Sequence, residues 1–239
     1  MTRPIALLFS CLFLIAFAGC GGEDEDPATA EATPTETAAP EATETATPEE
    51  TGGEQGSGCK PAERPAPKDV KLEKPKQQLD PAKTYVATVK TSCGAFQIEL
   101  DAKRSPKTGG SFKHLVEKGF YDGLGFHRIV PGFVIQGGDP AGDGSGGPGY
   151  SVVEAPPPDL AYEKGVVAMA KTQIEDPGTS GSQFFVVTGD ASQLTPDYAL
   201  LGKVVKGQDV VDLIGVAPIG PDEQPVEPIV IGSITIEEE

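Results

Sequence analysis

Residues 84–236 predict a mainly β domain: a closed antiparallel barrel carrying two helices. Three observations predict it. Short apolar segments alternating at period two recur along this stretch, as half-buried strands require. Only two segments carry helical periodicity. The chain holds 30 Gly and 23 Pro among its 239 residues, a supply of turn formers that suits many short strands. Closing such a sheet on itself removes its exposed edges.

The elements follow in order. Residues 84–91 and 95–100 alternate at period two about Cys93-Gly94, a β-hairpin pattern. Ser105-Pro106 offers an N-cap and a proline at the first helical position. Phe112, Leu115 and Val116 share one face of that helix, and Gly119 ends it. Residues 126–139 read as two apolar strands joined at the tight turn Pro131-Gly132, with Arg128 and Gln136 set among aromatic and branched residues. Further strands fall near 165–170, 183–188 and 199–205. A second helix spans about 208–215, with Val210, Val211 and Ile214 inward, and a last strand covers about 228–236.

The first third of the chain is a different material. Residues 5–18 are apolar behind a single Arg3. Fourteen residues are short for a membrane span and suit the core of an export signal. Ala18-Gly19-Cys20 then resembles the lipobox of bacterial lipoproteins, with Phe17 where Leu is usual; the alternative is an ordinary secreted protein cleaved nearby. The resemblance implies cleavage after residue 19, a lipid on Cys20, and an extracytoplasmic domain anchored to the cell membrane. Residues 20–58 form an acidic spacer of Thr, Pro, Glu, Ala and Gly, with eleven acids and no base between 21 and 58. Such a segment cannot bury enough apolar surface to offset its ordering entropy, so it is expected to be disordered, with a reach on the order of 100 Å. Residues 59–83 form a Pro- and Lys-rich arm in which four acids interrupt the bases, the pattern of a solvated segment.

The net charge of −17 speaks against a nucleic-acid partner, which needs clustered bases. With Cys11 in the signal and Cys20 lipidated, Cys59 and Cys93 remain. Outside the cytoplasm they are a disulfide candidate, the alternative being two free thiols.

Two segments carry the chemistry. Residues 126–139 and the stretch Gly181-Ser182-Gln183-Phe184-Phe185-Val186-Val187-Thr188 together closely resemble the signature regions of the cyclophilins, the peptidyl-prolyl cis-trans isomerases. The resemblance makes the fold specific: a closed eight-stranded antiparallel barrel capped by two α-helices, over roughly 84–236. It implies proline-containing polypeptides as partners, a monomer, and no cofactor. Rotation about an X-Pro bond meets a barrier of about 18–20 kcal/mol set by amide resonance. In the twisted state the prolyl nitrogen regains its lone pair, and a fixed cation donating to it lowers that state selectively. Arg128 fits that role. The resemblance places the proline ring against Phe133, Val134, Phe185 and Leu194. It has Gln136 hold the substrate carbonyl and orient Arg128, and it lines the groove with Ala170, Lys171, Gln183 and Tyr198. Gln193 stands where many members have Trp and Tyr198 where they have His, which implies weaker binding of cyclosporin-type ligands. The loop at 172–178 is about three residues longer than the common short form.

Other motifs fail on context. Residues 142–147 satisfy G-x-G-x-x-G, but Pro148-Gly149 follows where a dinucleotide site needs a helix. Gly178-Thr179-Ser180-Gly181-Ser182 has Ser where a nucleophile elbow ends in Gly. His114 and His127 have no second ligand at metal spacing, so no metal site is expected; His127 reads as a packed or hydrogen-bonded barrel residue and not as a base. Three functions remain: an isomerase acting on exported proteins, a non-catalytic proline-peptide module or holdase, and a structural surface protein. Keeping both Arg128 and Gln136 favours the first.

Overall fold

The structure is a computed structural model and describes residues 58–239. The export signal, Cys20 and the acidic spacer up to residue 57 lie outside the described residues.

Among the described residues there are ten strands and two helices. They are β1 (Tyr85–Thr91), β2 (Gly94–Leu100), α1 (Pro106–Glu117), β3 (Phe126–Val130), β4 (Val134–Gly137), β5 (Val152–Val153), β6 (Val166–Met169), β7 (Thr179–Ser180), β8 (Phe184–Val187), β9 (Leu200–Lys206), α2 (Gln208–Gly215) and β10 (Ile231–Glu238). Eight of them form one curled antiparallel sheet in the order β10-β1-β2-β9-β6-β8-β4-β3, while β5 and β7 pair separately. That small pair was not foreseen, because two-residue strands are too short to show a period.

The expected closure takes a different form. The end strands β10 and β3 share no ladder; they meet through the isolated Gly125↔Val230 bridge and the bond from Phe126 N–H to Ile229 O (2.9 Å). Further along, the outer edge of β3 is already taken, since Ile129 N–H donates to Glu223 O (2.7 Å). A loop therefore occupies the edge on which a closing strand would pair.

Alternation gives this sheet two functional faces. Ile129, Ile135, Val186 and Val167 stand opposite one another on β3, β4, β8 and β6, are fully buried, and belong to the main core. One residue along, Arg128, Gln136, Phe185 and Ala168 form the neighbouring row, which a period of two turns to the other face. Phe185 and Ala168 join a second apolar cluster there with Val134, Val187, Tyr162 and Leu200.

Helix α1 buries Phe112 and Leu115, and α2 buries Val211 and Ile214. Ser105 sits at the N-cap of α1 but donates its hydroxyl to Asp101 O (3.0 Å). The free N–H groups of Lys107 and Thr108 instead donate to the carboxylate of Glu154, at 3.2 and 2.7 Å. A remote acid thus does the capping, and its charge also complements the helix dipole.

The arm at 59–83 is largely exposed yet held along its length. Cys59 and Cys93 are disulfide-bonded. Lys60 N–H donates to Ser92 O, Lys68 N–H to Pro140 O, Leu72 N–H to Pro148 O and Leu79 N–H to Pro106 O, all within 2.8–3.0 Å. It crosses α1 where the helix has Gly109-Gly110. A Cβ at Gly110 would stand 2.6 Å from Gln77 O, which explains two helix-weakening glycines on a buried face.

Candidate active site

The β3–β4 turn sets the geometry. Phe133 N–H donates to Val130 O (3.0 Å), with Pro131 second and Gly132 third at φ +73°, the requirements of a type II turn. It fixes the register in which Arg128 faces Gln136 directly.

A cavity of about 370 Å³ opens on that face. Arg128, Phe133, Val134, Gln136, Ala170, Lys171, Phe185, Leu194 and Tyr198 line it, so nine of the ten residues expected from the sequence come together. The tenth, Gln183, lines an adjoining cavity of about 300 Å³ with the Gly-rich loop, Gln136, Ala170 and Lys171. A larger depression of about 670 Å³ lies elsewhere, among residues such as Lys103, Arg104, Asp159 and Lys203; it contains none of the signature residues.

Polar groups in the site form one directed chain. Arg128 Nη1 donates to Gln136 Oε1 (3.5 Å, a long contact), Gln136 Nε2 to Gln183 Oε1 (3.0 Å), and Gln183 Nε2 to the carbonyls of Gly144 and Gly146 (2.8 and 2.9 Å). The Gly-rich loop is itself organised by the buried Asp139, whose carboxylate accepts the N–H groups of Ala141, Asp143 and Gly144. The failed dinucleotide motif thus acquires a structural reason: its carbonyls anchor the amide chain that ends at Arg128.

Lys171 is placed differently from a simple lining residue. Its side chain is only 4% exposed, paired to Asp197 at 2.7 Å, donating to Thr172 O and Glu175 O and 5.6 Å from the centre of the Tyr198 ring. The buried ammonium ties the long 172–178 loop to the wall beneath Tyr198. That loop contributes Gln173 to the cavity, which sequence reasoning missed. Gln193 is exposed and does not line the cavity.

Sequence reasoning also missed Glu223, whose carboxylate accepts Arg128 Nε–H at 2.6 Å. Nothing marked it, because 95 residues separate the two. His127 is buried, with neither ring nitrogen hydrogen-bonded. Desolvation pulls its pKa below the usual imidazole value, against the opposing pull of Asp139. It is a packed residue and does not line the cavity.

Comparisons with known proteins give the family of the chain. Residues 86–236 match the family described as cyclophilin type peptidyl-prolyl cis-trans isomerase/CLD. Peptidyl-prolyl cis-trans isomerase A of Mycobacterium tuberculosis is 37% identical over 174 residues, spanning 65% of this chain and 94% of that protein. Peptidyl-prolyl cis-trans isomerase B of Streptomyces anulatus is 38% identical over 175 residues, spanning 65% and 98%. A Cryptosporidium parvum cyclophilin type isomerase, solved also in the presence of the dipeptide Ala-Pro, superposes with a TM-score of 0.60 at 32% identity, covering 64% of this chain and 98% of that one. The chain belongs to the cyclophilin-type peptidyl-prolyl cis-trans isomerases.

Proposed function

We propose that the chain catalyses cis-trans rotation of X-Pro bonds in exported polypeptides, with Arg128 as the donor to the twisted amide. The observation that carries this reading is the row in which Arg128 and Gln136 face each other beside the apolar floor of Phe185. Phe133, Val134, Phe185 and Leu194 seat the proline ring. Gln136 holds the carbonyl that precedes it. Ala170, Lys171, Gln183 and Tyr198 shape the groove for flanking residues. Arg128 donates to the prolyl nitrogen as it becomes pyramidal, an interaction absent from both planar states and therefore one that lowers the barrier. An acceleration of ~10⁵ needs about 7 kcal/mol, within reach of a charge-assisted bond and restraint of the chain in a desolvated groove.

The reading is tested by peptide exchange with wild type and Arg128→Ala. The variant is expected to lose on the order of 100-fold in kcat while still binding peptide. Equal rates would reject the role of Arg128. Peptide binding by the wild type without faster exchange would favour a non-catalytic binding module or holdase.

We further propose that the domain acts outside the cytoplasm as a monomer, held to the membrane by a lipid on Cys20. The lipobox-like Ala18-Gly19-Cys20 behind an apolar run supports the anchor.

A further inference from the structure

We infer that Glu223 is a positioning residue for the isomerisation, holding Arg128 in its donating orientation from outside the substrate cavity. The inference rests on the isomerase reading above. Glu223 lies in a tight hairpin in which Ile219 bridges Pro225 and Gly220 N–H donates to Gln224 O (2.8 Å). Pro221, Asp222 and Glu223 form its three-residue loop, closed by Glu223 N–H on Gly220 O (3.2 Å). The last residue of such a loop adopts a left-handed conformation, which glycine fills most easily. Here it is a glutamate at φ +58°, the one non-glycine residue with positive φ among the described residues. Non-glycine residues kept in that region cluster at functional sites.

The carboxylate is placed for this work. The backbone of Glu223 is bonded to β3 at Ile129, the residue after Arg128, while Oε2 accepts Arg128 Nε–H at 2.6 Å. The terminal nitrogens are left for Gln136 and the groove. Arg128 lines the cavity and Glu223 does not, so the carboxylate sits behind the guanidinium and away from substrate. The arm braces the same hairpin: Arg64 donates to Gln224 Oε1 (3.2 Å) and Pro225 O (3.1 Å). An arginine held at Nε on one side and toward Gln136 on the other loses little freedom when the transition state forms, so its donation is pre-organised. The pair is 37% and 43% exposed, too open to matter much for folding, which separates a positioning from a structural role.

The test is NMR exchange of a short Ala-Pro peptide at near-stoichiometric protein, with kcat, KM and thermal midpoint for each variant. Glu223→Gly is expected to lower kcat roughly tenfold at similar KM and to melt no lower than wild type, because glycine suits the backbone. Glu223→Gln keeps an acceptor and is expected to stay within about threefold of wild type. Arg128→Ala with Glu223→Gly should match Arg128→Ala alone. Wild-type kcat in Glu223→Gly while Arg128→Ala is impaired would overturn the inference and leave the isomerase reading standing. So would a further loss in the double variant, which would mean that Glu223 acts other than through Arg128. A wild type that does not accelerate exchange would overturn the isomerase reading and this inference with it, whereas an Arg128→Ala as active as wild type would overturn the role of Arg128 and this inference alone.

Discussion

Position 127 shows how closely two tasks are packed. Arg128 serves the groove, and His127 beside it is buried with both ring nitrogens unpartnered. Its pKa is lowered in the folded protein, mainly by desolvation, so below the ordinary value of about 6.5 the unfolded chain takes up protons more readily than the folded one. Its contribution to stability is therefore complete above that value and is lost as pH falls toward the depressed folded value. Thermal midpoints measured between pH 7.5 and 5 are expected to fall for wild type and to be flatter for His127→Gln. Parallel curves would remove His127 as the cause. At this scale the sequence was generous: nine cavity residues were legible because two ungapped segments carry most of them. Glu223 and Gln173 were not, since an ion pair across 95 residues and the aim of an irregular loop leave no local pattern.

Among the elements, period two exposed each long strand and period 3.6 both helices. The β5–β7 pair and the capping of α1 by Glu154 stayed hidden, because both depend on chain distant from the elements they serve. The arm is the clearest instance. Its composition reads as solvated, and most of it is exposed, yet Lys68 and Leu72 bond the two ends of the Gly-rich loop at Pro140 and Pro148 while Arg64 bonds the Glu223 hairpin. Both supports of Arg128 thus lean on one segment, which the Cys59–Cys93 bridge retains. Reducing that bridge is expected to lower stability by about 3–4 kcal/mol, the loop-closure value for its 34-residue separation. Urea denaturation with and without reductant measures it, and identical midpoints would refute it.

For the whole molecule, charge and hydropathy separate along the chain: the acidic spacer alone contributes −11 of the net −17. The curled sheet was legible as a class, but the way its end strands meet, by an isolated bridge and not a ladder, was not, because that depends on the loops around them. The proposed anchor is a prediction at this scale. Full-length protein is expected to partition with detergent and Cys20→Ser to partition with water. A Cys20→Ser variant that stays in the membrane fraction would sink the lipid assignment.

The bridge from Cys59 to Cys93 also has a mechanical meaning. A pull on the chain ahead of Cys59 enters the domain covalently at Cys93, in the turn between β1 and β2. The arm at residues 60–83 lies in the loop that this covalent path bypasses. The force enters the sheet at that turn, and the segment bracing the groove lies off the covalent line of tension.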